Sequence, residues 1–454
     1  MKTLKYIKLI MIAALIVSIF GCEDNLELAP EQSLLPEVAT SNPANLQNIL
    51  TGIYDEAGQA VSYGGQINLA SELLGNDTDL SWNGTFEQPA QLIEKQLVPD
   101  NTFVRDYWLN AYEVNNQANI VLANLSVFED ESERNRVEGE AKFLRALVYF
   151  DLARLFGQSY DAAGGNSQLA APIVLDAILN PSDITSPLRN SVEEMYGQVI
   201  SDLQNAYNLL PDSNGVFADR YAAQALLARV YLQQGNYTGA RDAADDVLQN
   251  SGHSLTETYD GAFNNDGDSS EDIFAWQVTS QDGINQMNTF WAGQAFGGRS
   301  GNPDVSINSS FFDIFDDVND DRSQFFYTTS GGTATTKWQS QFANIPFLRI
   351  AEMHLIRAEA NLRLTTAIGL DPLVEINALR GRSNAGALGV VTLQDIIDER
   401  KRELAFEGFT LHDIKRLQGT VGPLNYDDNF LVMPVPQRER DANPNLIQNP
   451  GYGS

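Results

Sequence analysis

The residues best suited to chemistry in this 454-residue chain are tryptophans placed among glycines, amides and acids. Trp82 lies in the polar loop 75–85, where a core tryptophan would be out of place, so we expect it to contact a ligand. A flat indole stacks on the C–H face of a sugar ring, and amides or carboxylates bond the hydroxyls at its rim. Asp77, Asp79 and Asn83 in the same loop are predicted to supply those bonds, so the pattern predicts a carbohydrate site.

Of the other four tryptophans, some are predicted to contact a ligand and others to be buried in the core. Trp291 has glycine and amide neighbours and is predicted to contact the ligand, whereas contact and burial are equally favoured for Trp338, which follows a Gly-Gly pair. Trp276 falls in a predicted strand, where burial is favoured, although it stays a candidate for the site. Trp108 lies on a helical apolar stripe and is assigned to the core. An arc of three indoles would select a curved glycan, which favours β-1,3-glucan of the laminarin type over α-glucan and fructan.

Histidine and serine patterns do not form a recognisable catalytic motif. His253, His354 and His412 stand on separate predicted elements, and none has the spacing of a metal-binding motif such as H-E-x-x-H. The stretch 298–301 is one residue short of the G-x-S-x-G motif and lacks its strand-to-helix context. We therefore predict that the chain is not an enzyme. A surface glycoside hydrolase is kept as an alternative, because paired carboxylates are plentiful.

Residues 317–328 match the pattern of a calcium-binding loop only in part. Asp317, Asn319 and Asp321 have the spacing of the first three ligands of such a loop. Arg322 stands where the loop needs a glycine, and Thr328 stands where it needs a bidentate glutamate. The segment is interpreted as a turn in which Arg322 bonds local carboxylates, and neither a metal nor a cofactor is predicted.

Cys22 is the only cysteine, and it directly follows an apolar segment. Three lysines precede the apolar residues 9–20, which are too few for a membrane span of about 20 residues. We predict a signal peptide over residues 1–21, a lipidated Cys22, and a polar tether over residues 22–42. The alternative is a cysteine buried in the core after a helix that is not cleaved.

The charge balance excludes several partners. The chain has 29 basic and 60 acidic residues, and removing residues 1–21 takes away three lysines and no acids, which leaves a net charge of −34. Binding phosphates requires clusters of Lys and Arg, so neither nucleic acid nor an anionic lipid surface is an expected partner. No apolar run of about 18 residues follows Cys22, so attachment to a membrane would depend on lipid alone.

Helix signals dominate the chain after residue 42. Asn42 and Pro43 mark the start of an amphipathic helix, and Ser191 with Glu194 forms a capping box for a helix that reaches residue 210. Gly157 is predicted to end a helix over 137–155. Long antiparallel helices are therefore the expected framework.

One stretch, 227–248, is similar to the helix-turn-helix of a tetratricopeptide repeat, with Gly235 at its turn. Such a unit cannot bury its apolar face alone, so further helix pairs are expected to stack beside it. The periodicity supplies them at 104–125 with 137–155 and at 345–364 with 372–385. We predict a mainly α fold, with a scaffold similar to tetratricopeptide repeats and about four helix pairs.

Residues 251–345 interrupt the helical periodicity. Ten of the 34 glycines and three of the five tryptophans fall there. The stretch is predicted to be an irregular, loop-rich region with a strand inside 270–280. Long irregular segments on a rigid scaffold more often serve recognition than packing, so this region is the expected binding region.

Three separated stretches resemble the SusD/RagB family of outer-membrane lipoproteins. The first is VEGEAKFLRALVYFDLARLFG at 137–157, and the second is RIAEMHLIRAEA at 349–360. The third combines ERKRELAFEGFTLHDIKR at 399–416 with MPVPQRERDANPNLIQNPGY at 433–452. In order and spacing the stretches cover most of the chain after the cysteine.

The N-terminal segment adds to this resemblance. Ile19 and Gly21 before the cysteine resemble a bacterial lipobox, although Phe20 is bulkier than usual, and Glu23 with Asp24 looks like a surface-export signal. Charged residues of the three stretches are interpreted as ion-paired caps and clamps rather than catalysts. They are Arg349, Arg402, Glu403, Glu407, Asp413 and Arg416.

The resemblance implies a single SusD-like domain over 43–454, with the loop-rich insertion at about 251–345 and the signature C-terminus at 399–454. It further implies a lipid-anchored protein on the outside of the outer membrane, which captures glycan and delivers it to a SusC-like TonB-dependent transporter. Peptide capture, as in relatives of the RagB type, is the alternative, and it would need backbone-pairing edges or charged pockets more than indoles.

Overall fold

The computed structural model describes residues 36–299 and 302–453. The predicted signal peptide, Cys22 and the tether as far as residue 35 lie outside the described residues. Helices dominate the described part, as the periodicity predicts, and the strands are short. The helices α1 to α15 are Pro36–Ala39, Pro43–Gly58, Gln66–Gly75, Glu87–Ile93, Thr102–Ala123, Glu131–Phe156, Val192–Leu209, Arg220–Gln234, Tyr237–Asn250, Gln286–Trp291, Ile350–Leu364, Pro372–Arg382, Leu393–Glu403, Thr410–Arg416 and Gln437–Ala442. The strands β1 to β8 are Leu80–Trp82, Asp272–Trp276, Val305–Ile307, Phe326–Thr329, Gly332–Thr335, Ile345–Arg349, Thr420–Val421 and Leu424–Asn425.

The helices pack one on the next along the chain. Helix α2 packs on α5, α5 on α6, α6 on α7, α7 on α8 and α8 on α9, and then α9 packs on α11 and α11 on α12. The turn between α8 and α9 is made by Gly235, whose φ of 73° is easily reached only without a Cβ. This arrangement confirms the predicted repeat-like scaffold. Among the described residues, no helix has both the length and the apolar composition needed to cross a membrane.

Local capping signals place several helix ends where the sequence predicts them. The Asn42 side chain accepts from the backbone N–H of Asn45, and Pro43 opens α2. Ser191 and Glu194 form the predicted capping box of α7. Gly157 is the C-cap of α6, also as predicted.

The stretch 345–364 is helical only in part, which corrects one prediction. Its first five residues form β6, which pairs antiparallel with β2, and the helix begins at Ile350. Pro346 is excluded from a helix interior because it lacks the N–H that a helix bonds, and an edge strand tolerates it. Strand β2 itself lies within the predicted stretch 270–280.

The loop-rich region between α9 and α11 contributes most of a four-stranded sheet in the order β1-β3-β5-β4. Only β1 comes from outside that region, and it pairs antiparallel with β3. Trp82 of β1 lies opposite Val305, and Ser81 lies opposite Ser306. The sheet thus fixes the loop after α3 against the inserted region.

A network of buried ion pairs joins the inserted region to α12 and α13. Glu403 accepts from Arg382 at 2.5 Å, and its carboxylate oxygens lie 3.3 Å from Arg349 and from Arg322. Arg322 also bonds Asp320 at 2.8 Å, which confirms the predicted turn with local carboxylates. Burial alone would raise the pKa of Glu403, but the surrounding arginines hold it below its ordinary value.

The predicted role of the signature charges is borne out by their partners. Arg416 bonds Asp413 at 2.6 Å and reaches Glu359 at 2.7 Å, while Glu407 pairs with Arg349 at 2.8 Å. All of these side chains except Asp413 are almost completely buried, so the charges act as clamps between elements.

Candidate functional site

The loop that carries the predicted site is fixed at its base by Asn76, directly after α3. The Asn76 side-chain oxygen accepts from the backbone N–H of Leu80 at 2.8 Å, and its amide donates to the Leu80 carbonyl at 3.2 Å. These two bonds close the turn and direct the chain into β1. Side chains of a strand alternate between faces, so Trp82 faces the same side as Leu80 while Asn83 faces the other.

The Trp82 indole is half-buried at the margin of the core. Its ring centroid lies 6.1 Å from that of Phe290, and its Nε1–H donates to the carbonyl oxygen of Phe86 at 3.1 Å. Gly84 lies against the ring, since a Cβ there would come within 2.3 Å of Trp82 Cζ2. The indole is therefore held in one orientation, with part of its surface open to solvent.

Phe86, in the same loop, provides a second and more open aromatic surface. Its side chain is 42% exposed, and the Arg299 guanidinium carbon lies 3.8 Å from its ring centroid. Arg299 in turn bonds Asp304 at 2.7 Å. Burial raises the pKa of Asp304, while Arg299 opposes the rise. We name Trp82, Asn83, Phe86, Arg299 and Asp304 the β1 surface.

The amide of Asn83 belongs to the same surface. Its side chain is exposed and donates to the Ser306 hydroxyl at 2.5 Å, while its backbone N–H bonds the Asp304 carbonyl. The β1 surface thus presents two partly exposed aromatic rings, a cation and an amide, which are groups that bind the faces and hydroxyls of sugars, while the buried Asp304 carboxylate holds the cation in place.

Asp77 and Asp79 lie at a different place from the indole. Both line a mainly apolar cleft of about 330 Å³ between α3, α13 and α14. The Asp79 carboxylate bonds Lys401 of α13 at 2.6 Å. Asp79 precedes Trp82 by three positions, which in an extended strand is roughly 10 Å. The structure therefore does not bring these acids into contact with the indole, although they lie along the same segment.

Trp291, Trp338 and Trp276, the other candidates for stacking, are all buried. The prediction of ligand contact is therefore wrong for Trp291, the structure decides for burial at Trp338, and the burial favoured for Trp276 is what the structure shows. Their exposed fractions are 0%, 5% and 3%, so no ring face is available to a sugar. Trp291 packs on Phe406 with the ring centroids 5.1 Å apart. The Trp338 indole donates to the Phe406 carbonyl at 3.2 Å. The arc of three indoles is therefore not formed, whereas Trp108 is buried at 2% as predicted.

The amide neighbours of Trp291 explain why the sequence suggested a ligand. Asn288 donates to the carbonyl oxygens of Phe296 and Trp338, so its amide closes the loop rather than facing solvent. Trp276 lies flat on Tyr63, with an interplanar angle of 11° and ring centroids 5.2 Å apart. The amide beside Trp291 therefore supplies hydrogen bonds to backbone carbonyl groups rather than to a ligand.

Sequence reasoning missed Phe86, Arg299 and Asp304. Phe86 follows Trp82 by four residues in the same polar loop, so the loop composition was a usable signal. Arg299 and Asp304 come from the inserted region, and only the pairing of β1 with β3 brings them to the loop. Among the described residues, no group of His, Cys, Asp and Glu is arranged to hold a metal ion.

Fold and surface together define a helical-repeat scaffold that presents aromatic and polar side chains on the loops between its helices. A family model described as the SusD family matches residues 184–430, which is more than half of the chain. A second model, described as "Starch-binding associating with outer membrane", matches residues 24–232. The chain belongs to the SusD family, as its three sequence stretches indicate.

Several relatives align along nearly the whole chain. SusD-like protein P2 of Formosa agariphila is 26% identical over 96% of this chain and 98% of its own length. The starch-binding protein SusD of Bacteroides thetaiotaomicron is 24% identical over the full length of both chains. A crystal structure of a SusD superfamily protein from B. thetaiotaomicron matches with a TM-score of 0.80 at 26% identity, covering 90% of this chain and all of that one.

Proposed function

We propose that this chain is a cell-surface lipoprotein that captures polysaccharide or oligosaccharide by non-covalent binding at the β1 surface. The observation that carries the proposal is the pair of partly exposed aromatic rings, Trp82 and Phe86, beside the Arg299–Asp304 ion pair. Family membership supports it, because a relative aligned along the full length is named a starch-binding protein. The binding requires no cofactor and no covalent step.

Each group of the β1 surface has a role in this proposal. The Phe86 ring and the open part of the Trp82 indole stack on sugar C–H faces. Asn83 and Arg299 bond hydroxyl groups, which are both donors and acceptors. Asp304 is 4% exposed, so its role is to fix the Arg299 guanidinium through the ion pair. Asp77 and Asp79, which precede the strand, with Asp79 roughly 10 Å from Trp82, bond a neighbouring residue of the same glycan chain.

The proposal includes a place in the cell. Residues 1–21 are a signal peptide, Cys22 carries the lipid and residues 22–42 form the tether, so the domain over 43–454 is held at the outer membrane. A SusC-like TonB-dependent transporter receives the captured glycan there. The high negative charge of the chain is compatible with a neutral ligand and excludes a strongly acidic one.

The preferred glycan is left to experiment. The sequence favours laminarin over α-glucan and fructan only if three indoles form an arc. Trp276, Trp291 and Trp338 are buried, so that preference has no structural support. Laminarin therefore enters the test beside starch and fructan, as one member of a panel.

Native gels cast with each polysaccharide test the site. We expect retardation by at least one glycan, and we expect Phe86→Ala and Trp82→Ala to abolish it. Phe430→Ala is the matched control, because Phe430 is 41% exposed and packs on Tyr452 near the C-terminus, away from β1. Retardation that survives both β1 variants would contradict the assigned site. Steady release of reducing sugar by the pure protein would instead support the hydrolase alternative.

A further inference from the structure

A second cleft, of about 560 Å³, lies between α2, the loop 282–286 and strand β2. It is separate from the β1 surface, with which it shares no residue. Val216 and Ile284 at its rim are 46% and 41% exposed. We name it the β2 cleft.

The strand presents its backbone edge to this cleft. Five successive residues, 274–278, line it. Because successive side chains point to opposite faces of a strand, an unbroken run of lining residues means that the edge faces the cavity. Strand β2 pairs with β6 alone in the described part of the chain, so its other edge has no partner strand.

The register shows which backbone groups point into the cleft. Ala275 lies opposite Pro346, which has no N–H, so this pair is the kind that exchanges no hydrogen bonds. In an antiparallel ladder the backbone groups of such a residue point away from the partner strand. Ala275 and, by alternation, Gln277 therefore direct their N–H and C=O groups to the outer edge.

Ala275 itself is 2% exposed, so an added strand reaches these outer groups after the Gln277 side chain moves aside. Within the described ranges, no backbone group of another segment bonds the N–H or C=O of Ala275 or Gln277. The Ala275 carbonyl accepts from the Gln277 side chain at 3.2 Å. The wall also holds the indole N–H of Trp276, which is buried and has no partner among the described residues. A free strand edge pairs readily with an added extended chain.

The charge of the β2 cleft selects its occupant. Asp55 and Asp282 line it, and none of the described residues in its lining is Lys, Arg or His. A glycan would need open aromatic faces, but Tyr54, Phe274 and Trp276 in the wall are 9%, 4% and 3% exposed, and Phe217 is half-buried. Acidic walls beside a backbone edge fit an extended polypeptide that carries cationic side chains.

We propose that the β2 cleft docks an extended, lysine- or arginine-bearing segment of another protein, which adds a strand to the outer edge of β2. The segment's backbone bonds Ala275 and Gln277, its cationic side chains face Asp55 and Asp282, and its apolar side chains contact Val216 and Ile284. The inference is independent of glycan capture at the β1 surface.

The test uses a fluorescein-labelled octapeptide of alternating lysine and valine, bound to the mature chain at physiological salt and followed by fluorescence anisotropy. Two further peptides carry backbone N-methyl groups on alternate residues. One is methylated at the odd-numbered positions and the other at the even-numbered positions, so that only one of them blocks the N–H groups that face β2. We expect saturable binding, a loss of about tenfold or more in affinity when the register that faces β2 is methylated, and little loss for the other register. Equal loss in both registers would overturn the proposal.

Protein variants separate docking from general attraction to an acidic surface. Asp55→Lys replaces an exposed acid of the cleft and is expected to weaken binding about tenfold. Asp441→Lys, at an exposed position on α15, makes the same change in net charge and is expected to leave binding unchanged. Equal weakening by both variants would overturn the proposal. Displacement of the peptide by laminarin or starch fragments would overturn it as well, because it would assign the cleft to glycan.

Discussion

The Trp82 indole Nε1–H donates to the backbone carbonyl oxygen of Phe86 at 3.1 Å, and this bond ties the indole to the backbone of the residue that carries the second ring of the β1 surface. It also satisfies the only polar atom of the indole, which can then lie partly in the core against Phe290. The orientation of both rings therefore depends on the path of the backbone between residues 82 and 86.

Gly84→Ala is expected to weaken glycan binding. The added Cβ would lie 2.3 Å from Trp82 Cζ2, and a rigid indole cannot bend away from it, so the ring must leave its position. Overpacking of this kind costs about 1–3 kcal/mol in the free energy of unfolding. Native affinity gels and thermal unfolding measure the two effects.

The control for Gly84 is Gly165→Ala, because nothing lies within 4 Å of a Cβ at that position. It is expected to leave both the retardation and the melting temperature unchanged. If Gly84→Ala bound glycan as tightly as the parent chain, the fixed indole would not be part of the binding surface.

Glu403→Gln is expected to destabilise the fold strongly. The substitution removes the charge that compensates Arg322, Arg349 and Arg382, all of which are buried. Loss of one partner from a buried ion pair costs about 3–5 kcal/mol, because the remaining charge is left without compensation. Urea unfolding measures the change in the free energy of unfolding.

An exposed ion pair provides the comparison for Glu403. Asp212, whose side chain is 75% exposed, pairs with Arg220 at 2.9 Å. Asp212→Asn is expected to change the free energy of unfolding by no more than about 1 kcal/mol. Similar losses for the two variants would mean that the buried network contributes no more than a surface pair does.

Stability is expected to rise with pH through Lys415. Its side chain is 2% exposed, and in the described part of the chain its amine donates only to the Arg154 carbonyl, at 3.3 Å. Burial, with a smaller effect of Arg154, lowers the pKa of Lys415 to about 7, whereas the pKa of an unfolded lysine is about 10.4. Between these values the unfolded chain binds more protons than the folded one, so alkaline pH favours folding.

Lys415→Met tests this dependence. Below pH 7 the folded chain carries a buried ammonium, so the variant is expected to be more stable than the parent by up to about 4 kcal/mol at pH 6. The difference should shrink as the pH rises to about 10, where the parent amine is neutral. Lys401→Met, at a side chain that is 45% exposed, should show no such trend. Parallel pH profiles for parent chain and Lys415→Met would contradict a buried ammonium.

The sequence predicts the features that depend on neighbouring residues. Asn42, Ser191 and Gly157 set helix ends through local hydrogen bonds and backbone freedom, and the structure places each end as predicted. Trp291 was predicted wrongly because its burial depends on Phe406, which is distant in sequence. Arg299 was missed because only the pairing of β1 with β3 brings it to the loop. Local composition thus identifies the polar residues next to a tryptophan in sequence. It does not predict whether those side chains face solvent or the protein interior.

Cys22→Ala tests the predicted lipid anchor. In cells fed a labelled fatty acid, we expect the parent chain to carry label, to fractionate with the outer membrane and to be digested by protease added outside. Without the cysteine sulfur there is no attachment point, so the variant should be unlabelled and should not be retained with the membrane.

The departure from the lipobox at Phe20 provides the matched control for Cys22. Phe20→Ala keeps the sulfur and makes the segment before it smaller, so processing and labelling should be at least as complete as in the parent chain. Loss of labelling in Phe20→Ala would show that the bulky residue is needed for processing. Retention of Cys22→Ala in the outer membrane, still open to external protease, would contradict lipid attachment at this residue and point to another means of membrane association.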